Sequence, residues 1–277
     1  YRPVRLLVGN KVYLPQDTVR ITTREVGQGF ALLDVTAQVQ SASTVTEWVT
    51  LQQTICREGT AVLTDRQNLL LQPGESRTVS FRYCVDSPAL WSPEDPNLYT
   101  STMQVLEGEE ELDREETRFG IRTLSIDAAH GVRINGQTVK LRGACIHHDN
   151  GILGAATLPD AEERRIRQLK EAGFNAIRSS HHPAGRALLD ACDRYGVLVM
   201  DELSDVWNVR KNPYDYALYF EQDWKPTIQK MVAKDYNHPS VILYCVGNEI
   251  SEAGSESGAE TNRRLCNTFR ELDPTRY

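Results

Sequence analysis

The sequence predicts a β-sandwich of immunoglobulin-like type over residues 1–122, followed by an α/β unit over residues 123–277 that forms about half of a (β/α)8 barrel. Three observations predict it. Up to about Arg122, short runs alternate apolar and polar residues with period two. Beyond it, apolar runs alternate with segments of helical period. The chain has 277 residues, 40% hydrophobic and 25% charged, which is enough for two cores.

In the first part, Ala31-Leu32-Leu33-Asp34-Val35-Thr36-Ala37-Gln38-Val39 is a period-two run, and Gln72-Pro73-Gly74-Glu75 is a turn. Further strands are expected over residues 44–54, 76–83 and 98–106, a spacing that suits an immunoglobulin-like sandwich. The acidic stretch over residues 107–116 reads as a solvated hairpin tip.

In the second part, four βα units are expected. A strand over 139–147 precedes a helix over 160–172, in which Ile166, Leu169 and Ala172 share a face and Gly173 provides the stop. A strand over 174–178 precedes a helix over 185–195 closed by Gly196. A strand over 197–201 leads through a long irregular stretch to a helix over 219–236. A strand over 240–247 precedes a helix over 256–272, ended by Asp273-Pro274. The roughly 155 residues after Arg122 fall short of the roughly 250 that a complete barrel needs, so a half-barrel is expected. Its open strand edges invite pairing, and self-association through them is expected.

Lys and Arg number 31 against 38 Asp and Glu, a net charge of -7, so no global basic field exists for nucleic acid or an anionic membrane. A neutral or small substrate fits better. No apolar run approaches the roughly 20 residues of a membrane span, and the polar opening has no signal-peptide core. The six cysteines form no C-x-x-C pair, which argues against a zinc ribbon. Most read as small buried apolar residues, and a bridge between Cys56 and Cys84 is left open. No pattern calls for a cofactor.

In such a barrel the active site forms at the C-terminal strand ends. Each of the four expected strands ends in reactive side chains: His147-His148-Asp149; Arg178 with His181-His182-Pro183 beyond it; Asp201-Glu202; and Asn248-Glu249. Four in register point to a common pocket. Glu249 follows Val241-Ile242-Leu243-Tyr244-Cys245-Val246-Gly247, a run apolar enough to be buried on both faces, which would place a carboxyl group at a partly desolvated strand mouth. Desolvation raises a carboxyl pKa and keeps a proton available for transfer near neutral pH. From position alone, a surface-loop glutamate is an equal alternative.

The run Asp235-Tyr236-Asn237-His238-Pro239-Ser240-Val241-Ile242, continuing to Gly247-Asn248-Glu249-Ile250, resembles the acid/base signature of glycoside hydrolase family 2. Similar segments occur in the family order: Leu90-Trp91-Ser92-Pro93, Pro96-Asn97-Leu98-Tyr99, Phe119-Gly120-Ile121-Arg122, Ile134-Asn135-Gly136, Leu141-Arg142-Gly143, Asn175-Ala176-Ile177-Arg178 and Asp193-Arg194-Tyr195-Gly196. The resemblance implies a retaining β-glycosidase that binds carbohydrate and hydrolyses terminal β-glycosides. A β-galactosidase comes first, with β-glucuronidase and β-mannosidase as alternatives.

The resemblance also implies roles. Glu249 would be the general acid/base, and Asn248 would bond the sugar hydroxyl next to the anomeric carbon. Arg178 would orient the nucleophile carboxylate, and His147 and His181 would contact hydroxyls. Asp201 would bind a hydroxyl at the far side of the ring, with Glu202 turned away by strand alternation into a supporting place. One member of each pair, His148 or His147 and His182 or His181, is expected to be structural. Trp207 is expected to form a sugar-stacking wall, with a core position as the alternative, and Trp224 reads as core or wall. Lys211 with Asp215-Tyr216 resembles a loop found in some family members. Leu203-Ser204-Asp205-Val206-Trp207 does not match the family's acidic metal ligands, so no metal is expected. The family's nucleophile is a glutamate on the seventh barrel strand, so these 277 residues are expected to hold the acid/base without its partner and to have little activity alone. The family's N-terminal sugar-binding sandwich is likewise expected to be missing from this sequence.

Two readings of other classes compete. One is a non-catalytic carbohydrate-binding module, against which the four polar strand ends argue. The other is a metal-dependent hydrolase built on His147, His148, Asp149, His181 and His182; adjacent histidines on a strand point apart, whereas metal ligands converge.

Overall fold

A computed structural model describes residues 3–277. The chain divides into two compact units, one of Val4–Trp91 with Asn97–Thr123, the other including Ser92–Pro96 and Leu124–Tyr277.

The first unit carries two antiparallel sheets. In one, β3 (Phe30–Ser41) pairs along its length with β6 (Ser76–Asp86) and also with β1 (Val12–Tyr13) and β2 (Arg20–Gly27). The other has the order β5-β4-β7-β8, from Thr60–Leu71, Glu47–Arg57, Tyr99–Glu107 and Glu110–Phe119. Alternation along β3, β4 and β7 turns Leu33, Val35, Val39, Val49, Leu51 and Met103 into one apolar core. The acidic stretch is mostly strand: only Gly108 and Glu109 form the tip, and residues 110–116 belong to β8, where cross-strand hydrogen bonding outweighs the low β-propensity of glutamate. Cys56 and Cys84 lie on different strands as free thiols. Cys192 alone among the six cysteines is buried, so the expectation of mostly buried cysteines does not hold.

The second unit begins with a small sheet that the sequence reading did not anticipate, of β9 (Leu124–Asp127), β10 (Gly131–Ile134) and β11 (Gln137–Thr138). Its β10–β11 turn is Asn135-Gly136, both at positive φ, the residue pair that a two-residue hairpin favours. Then follow four parallel strands in the order β12-β13-β14-β15, from Gly143–Ile146, Ala176–Ser179, Leu198–Glu202 and Val241–Cys245. Between and after them run α1 (Pro159–Glu171), α2 (Arg186–Tyr195), α3 (Phe220–Asp235) and α4 (Glu256–Leu272). The sheet is an open partial barrel. Ile177, Val199 and Val241 pack with Ile166, Leu189 and Cys192 beneath it, and Trp224, Ile228 and Phe269 join α3 to α4.

Helix α2 ends on Gly196 in the left-handed conformation (φ 65°, ψ 47°), and a Cβ there would lie 2.2 Å from the Pro93 carbonyl oxygen. Lys170 of α1 ties the same corner, its Nζ donating to Pro93 O at 2.6 Å and Gly196 O at 3.0 Å. Past α4, the buried Arg276 guanidinium donates to the carbonyls of Tyr236, His238 and Val241, and Tyr277 exchanges backbone hydrogen bonds with Ile242 and Tyr244 along the edge of β15.

Candidate active site

The strand ends bring most of the expected side chains together. On β13, Arg178 Nε donates to Glu202 Oε2 at 2.5 Å, and its Nη2 donates to Asn248 Oδ1 at 3.2 Å. The other oxygen of Glu202 lies 2.6 Å from His181 Nδ1. The His181 ring meets the His147 ring edge to face with centroids 5.3 Å apart. Glu202, fully buried, is therefore the hub of a cluster containing His147, Arg178, His181 and Asn248. Burial pulls the Arg178 guanidinium toward its neutral form, but the pairing with Glu202 outweighs it and raises its pKa.

Asp201 stands outside the cluster. Its Oδ1 accepts from the Ala184 and Glu202 amides at 2.8 and 3.1 Å, and Lys234 Nζ lies 3.4 Å from Oδ2. The two acids of β14 thus have the opposite orientation from that expected. Period two says that neighbours face apart but not which faces the pocket, and the β14–β15 ladder shifts register between Val199 and Met200. Behind β14, burial and the Asp201 carboxylate push Asp235 up to about 7, against the pull of Lys234.

Glu249 follows the last residue of β15 by a short loop, is exposed, and has φ 44°, a left-handed conformation unusual for a residue with a side chain. The partly desolvated setting expected for it is not found, because β15 ends at Cys245 and the carboxyl lies beyond the packed strand. A cavity of about 650 Å³ opens beside it, lined by Trp207, Gly247, Ile250, Ala253 and Asn262 among others. Trp207 is not a free stacking wall. Its indole is buried with Leu203, Phe220 and Trp224, and Nε1 donates to Val246 O at 2.9 Å.

Two further polar residues, Asp205 and Lys211, bond to Asn248. Asp205 Oδ1 accepts from Asn248 Nδ2 at 2.8 Å and from Lys211 Nζ at 2.9 Å, and Lys211 Nζ also donates to the Asn248 carbonyl at 2.8 Å. Partial burial pushes the Asp205 carboxyl up, but Lys211 and Asn248 outweigh it and hold it below the usual range. The Lys211 loop pattern was the one signal in the sequence that pointed here.

Helix α1 supports the first strand end: Arg165 Nη2 donates to His147 O at 2.6 Å, and Arg165 pairs with the buried Glu162, which also accepts from Asn150. His148 and His182 stack on each other with centroids 4.6 Å apart. Among the described residues, three metal-type donors converge only at Asp190, Asp193 and His238, at the N-terminal side of β15, where Asp193 already contacts His238 Nδ1 at 2.5 Å and the Ser240 amide at 3.1 Å.

Comparison with known proteins bears on the family and on the fold, a sandwich followed by a partial barrel. Residues 128–277 match the model for glycosyl hydrolases family 2, TIM barrel domain, and residues 12–122 match the model for glycosyl hydrolases family 2. The chain is 37% identical to Beta-galactosidase BoGH2A of Bacteroides ovatus over 94% of its own length and 31% of that protein's. It is 31% identical to a putative beta-glucuronidase of Formosa agariphila, over 100% of its own length and 25% of the relative's. A family 2 crystal structure from Bacteroides cellulosilyticus superposes with a TM-score of 0.93 at 39% identity, covering 97% of this chain and 35% of that one. A Bacteroides uniformis beta-glucuronidase superposes at 0.85 with 28% identity, covering 97% and 34%. The chain thus spans about a third of the length of these proteins or less. With both of its units matched to models of one family, the chain belongs to glycosyl hydrolase family 2.

Proposed function

We propose that this chain carries the acid/base side of a retaining β-glycosidase site acting on terminal, neutral β-glycosides, β-galactosides first. The observation that carries the reading is the hydrogen-bonded line from His181 through Glu202 and Arg178 to Asn248, the residue directly before Glu249. In a retaining reaction the acid donates its proton to the glycosidic oxygen as the C1–O bond breaks, and a second carboxylate about 5 to 5.5 Å away attacks C1. The carboxylate of the first residue then takes a proton from the water that releases the sugar. Glu249 is given the acid/base role. Arg178, whose Nε and Nη2 both pair with Glu202 and whose Nη2 also donates to Asn248, is given the orientation of the attacking carboxylate. His147, His181 and Asn248 are given the sugar hydroxyls. Glu202 holds the arginine and the histidine, a supporting place, and Asp201 is given no sugar hydroxyl because its carboxylate is taken up by the Ala184 amide and Lys234. The cavity beside Glu249 suits the leaving group, which must lie on the acid's side of the bond.

The preference for a neutral sugar rests on charge. The two cations bonded to Asn248 are each matched, Arg178 by Glu202 and Lys211 by Asp205, so neither offers uncompensated charge to a uronic acid carboxylate. The naming of a 37% identical relative as a beta-galactosidase points the same way. The test is kcat/KM of the full-length protein on aryl β-D-galactoside, β-D-glucuronide and β-D-mannoside. The galactoside should lead, and a glucuronide turned over faster would overturn the substrate assignment while leaving the glycosidase reading in place.

A further inference from the structure

We infer that residues 205–211, in the loop between β14 and α3, form a strap that fixes the conformation of the acid/base loop, with Lys211 and Asp205 as positioning residues for Glu249. The inference rests on the acid/base reading of Glu249 given above and adds to it.

The strap touches residues 246–252 at both ends. Before Glu249, the Trp207 indole donates to Val246 O at 2.9 Å, Lys211 Nζ donates to Asn248 O at 2.8 Å, and Asn248 Nδ2 donates to Asp205 Oδ1 at 2.8 Å. After it, Glu252 Oε1 accepts from the amides of Asn208 and Val209 at 2.8 and 2.7 Å. Glu249 is thus bracketed on either side, and it is the residue of the segment with a side chain at positive φ. A strained backbone of this kind persists only where its surroundings over-determine it.

The strap is itself held. Asp215 accepts from the amides of Lys211 and Asn212 at 2.7 and 2.9 Å through one oxygen and from Ala217 at 3.1 Å through the other. Lys211 and Asp205 pair at 2.9 Å, so the ammonium reaching the Asn248 carbonyl is oriented before substrate arrives. Lys211 touches the peptide before Glu249 and not its carboxyl. Its effect therefore runs through the aim of the acid, and a small misplacement of a catalytic group costs rate more than affinity.

The experiment uses the full-length protein and the β-glycosides of whichever sugar it turns over, one with an activated aryl leaving group and one with an alkyl leaving group. Lys211→Met keeps the length of the side chain and removes its donor. It should lower kcat/KM, which reports cleavage of the C1–O bond, on the alkyl glycoside by about tenfold or more, because that substrate depends on a well-aimed acid, and much less on the activated one. KM should change little. Lys211→Arg, which can still donate to the Asn248 carbonyl, should recover most of the loss. Asp205→Asn, of nearly unchanged size, should show the same leaving-group dependence and carries the test if Lys211→Met does not fold. Equal losses of kcat/KM on both substrates, a change in KM alone on the alkyl glycoside, or a lowered melting temperature without the leaving-group dependence would overturn the inference. Glu249→Gln run alongside separates the two claims. If it spares the alkyl glycoside, the acid/base reading and the strap fall together. If it abolishes that activity while Lys211→Met does not lower it, the strap alone falls.

Discussion

Asp201 and Glu202 are consecutive residues of β14 whose carboxyl groups have wholly different partners: Glu202 binds Arg178 and His181 at the strand ends, while Asp201 binds the Ala184 amide, just before α2, and Lys234 of α3. One of them organises the site and the other organises the packing behind it.

This division predicts different consequences of removing each. Asp201→Ala leaves two buried amides, those of Ala184 and Glu202, and a lysine short of an acceptor, which should cost at least about 1–3 kcal/mol in unfolding free energy. KM of the folded enzyme should be nearly unchanged. Glu202→Gln should weaken the hold on Arg178 and His181 and lower kcat/KM at a smaller cost in stability. Thermal unfolding and steady-state kinetics on both variants check this, and a large KM effect from Asp201→Ala would contradict it.

Asp235 predicts a pH dependence. Its carboxyl is raised to about 7 by burial and by Asp201, whereas in the unfolded chain it titrates near 3.9. Between those values the folded form holds the extra proton, so this group's contribution falls as pH rises from about 4 to about 7. Denaturant unfolding from pH 4 to 8 should show this group's contribution declining up to about pH 7 and levelling off above it, and Asp235→Asn should flatten the decline. An unchanged slope in the variant would assign the dependence elsewhere.

Strand β12 predicts association of the 277-residue chain. It pairs with β13 on one side, while residues 141–145 are exposed, Leu141 among them. An open parallel edge of this kind is a template for another strand. Sedimentation velocity at micromolar concentration should show dimers or larger species, shifted toward monomer by Leu141→Lys. A monomer at all concentrations would contradict the expectation.

What could be read in the sequence was what is local. Gly173 and Gly196 mark the ends of α1 and α2 because a left-handed residue there costs glycine little, and the four helices run within a residue or two of where periodicity and stop signals put them. The apolar runs before Arg178, Asp201 and Asn248 announced the parallel strands. The small β9–β11 sheet escaped because its strands of two to four residues are too short to show a period, although Asn135-Gly136 is a hairpin signal. The face taken by Glu202 depends on which side of β14 turns inward, and no local pattern encodes that. Lys211 and Asn248 meet across 37 positions of sequence, a contact that exists only once β14 and β15 are neighbours.

Glu249→Gln in the full-length protein tests the central claim most directly. The substitution keeps the shape of the side chain and removes its proton. Loss of acid assistance should lower kcat by about 10² to 10⁴-fold on glycosides with poor leaving groups, with a far smaller effect on the bond-cleavage step of activated aryl glycosides. The same fraction of kcat/KM retained on both kinds of substrate, with an unchanged pH profile, would show that Glu249 is not the acid.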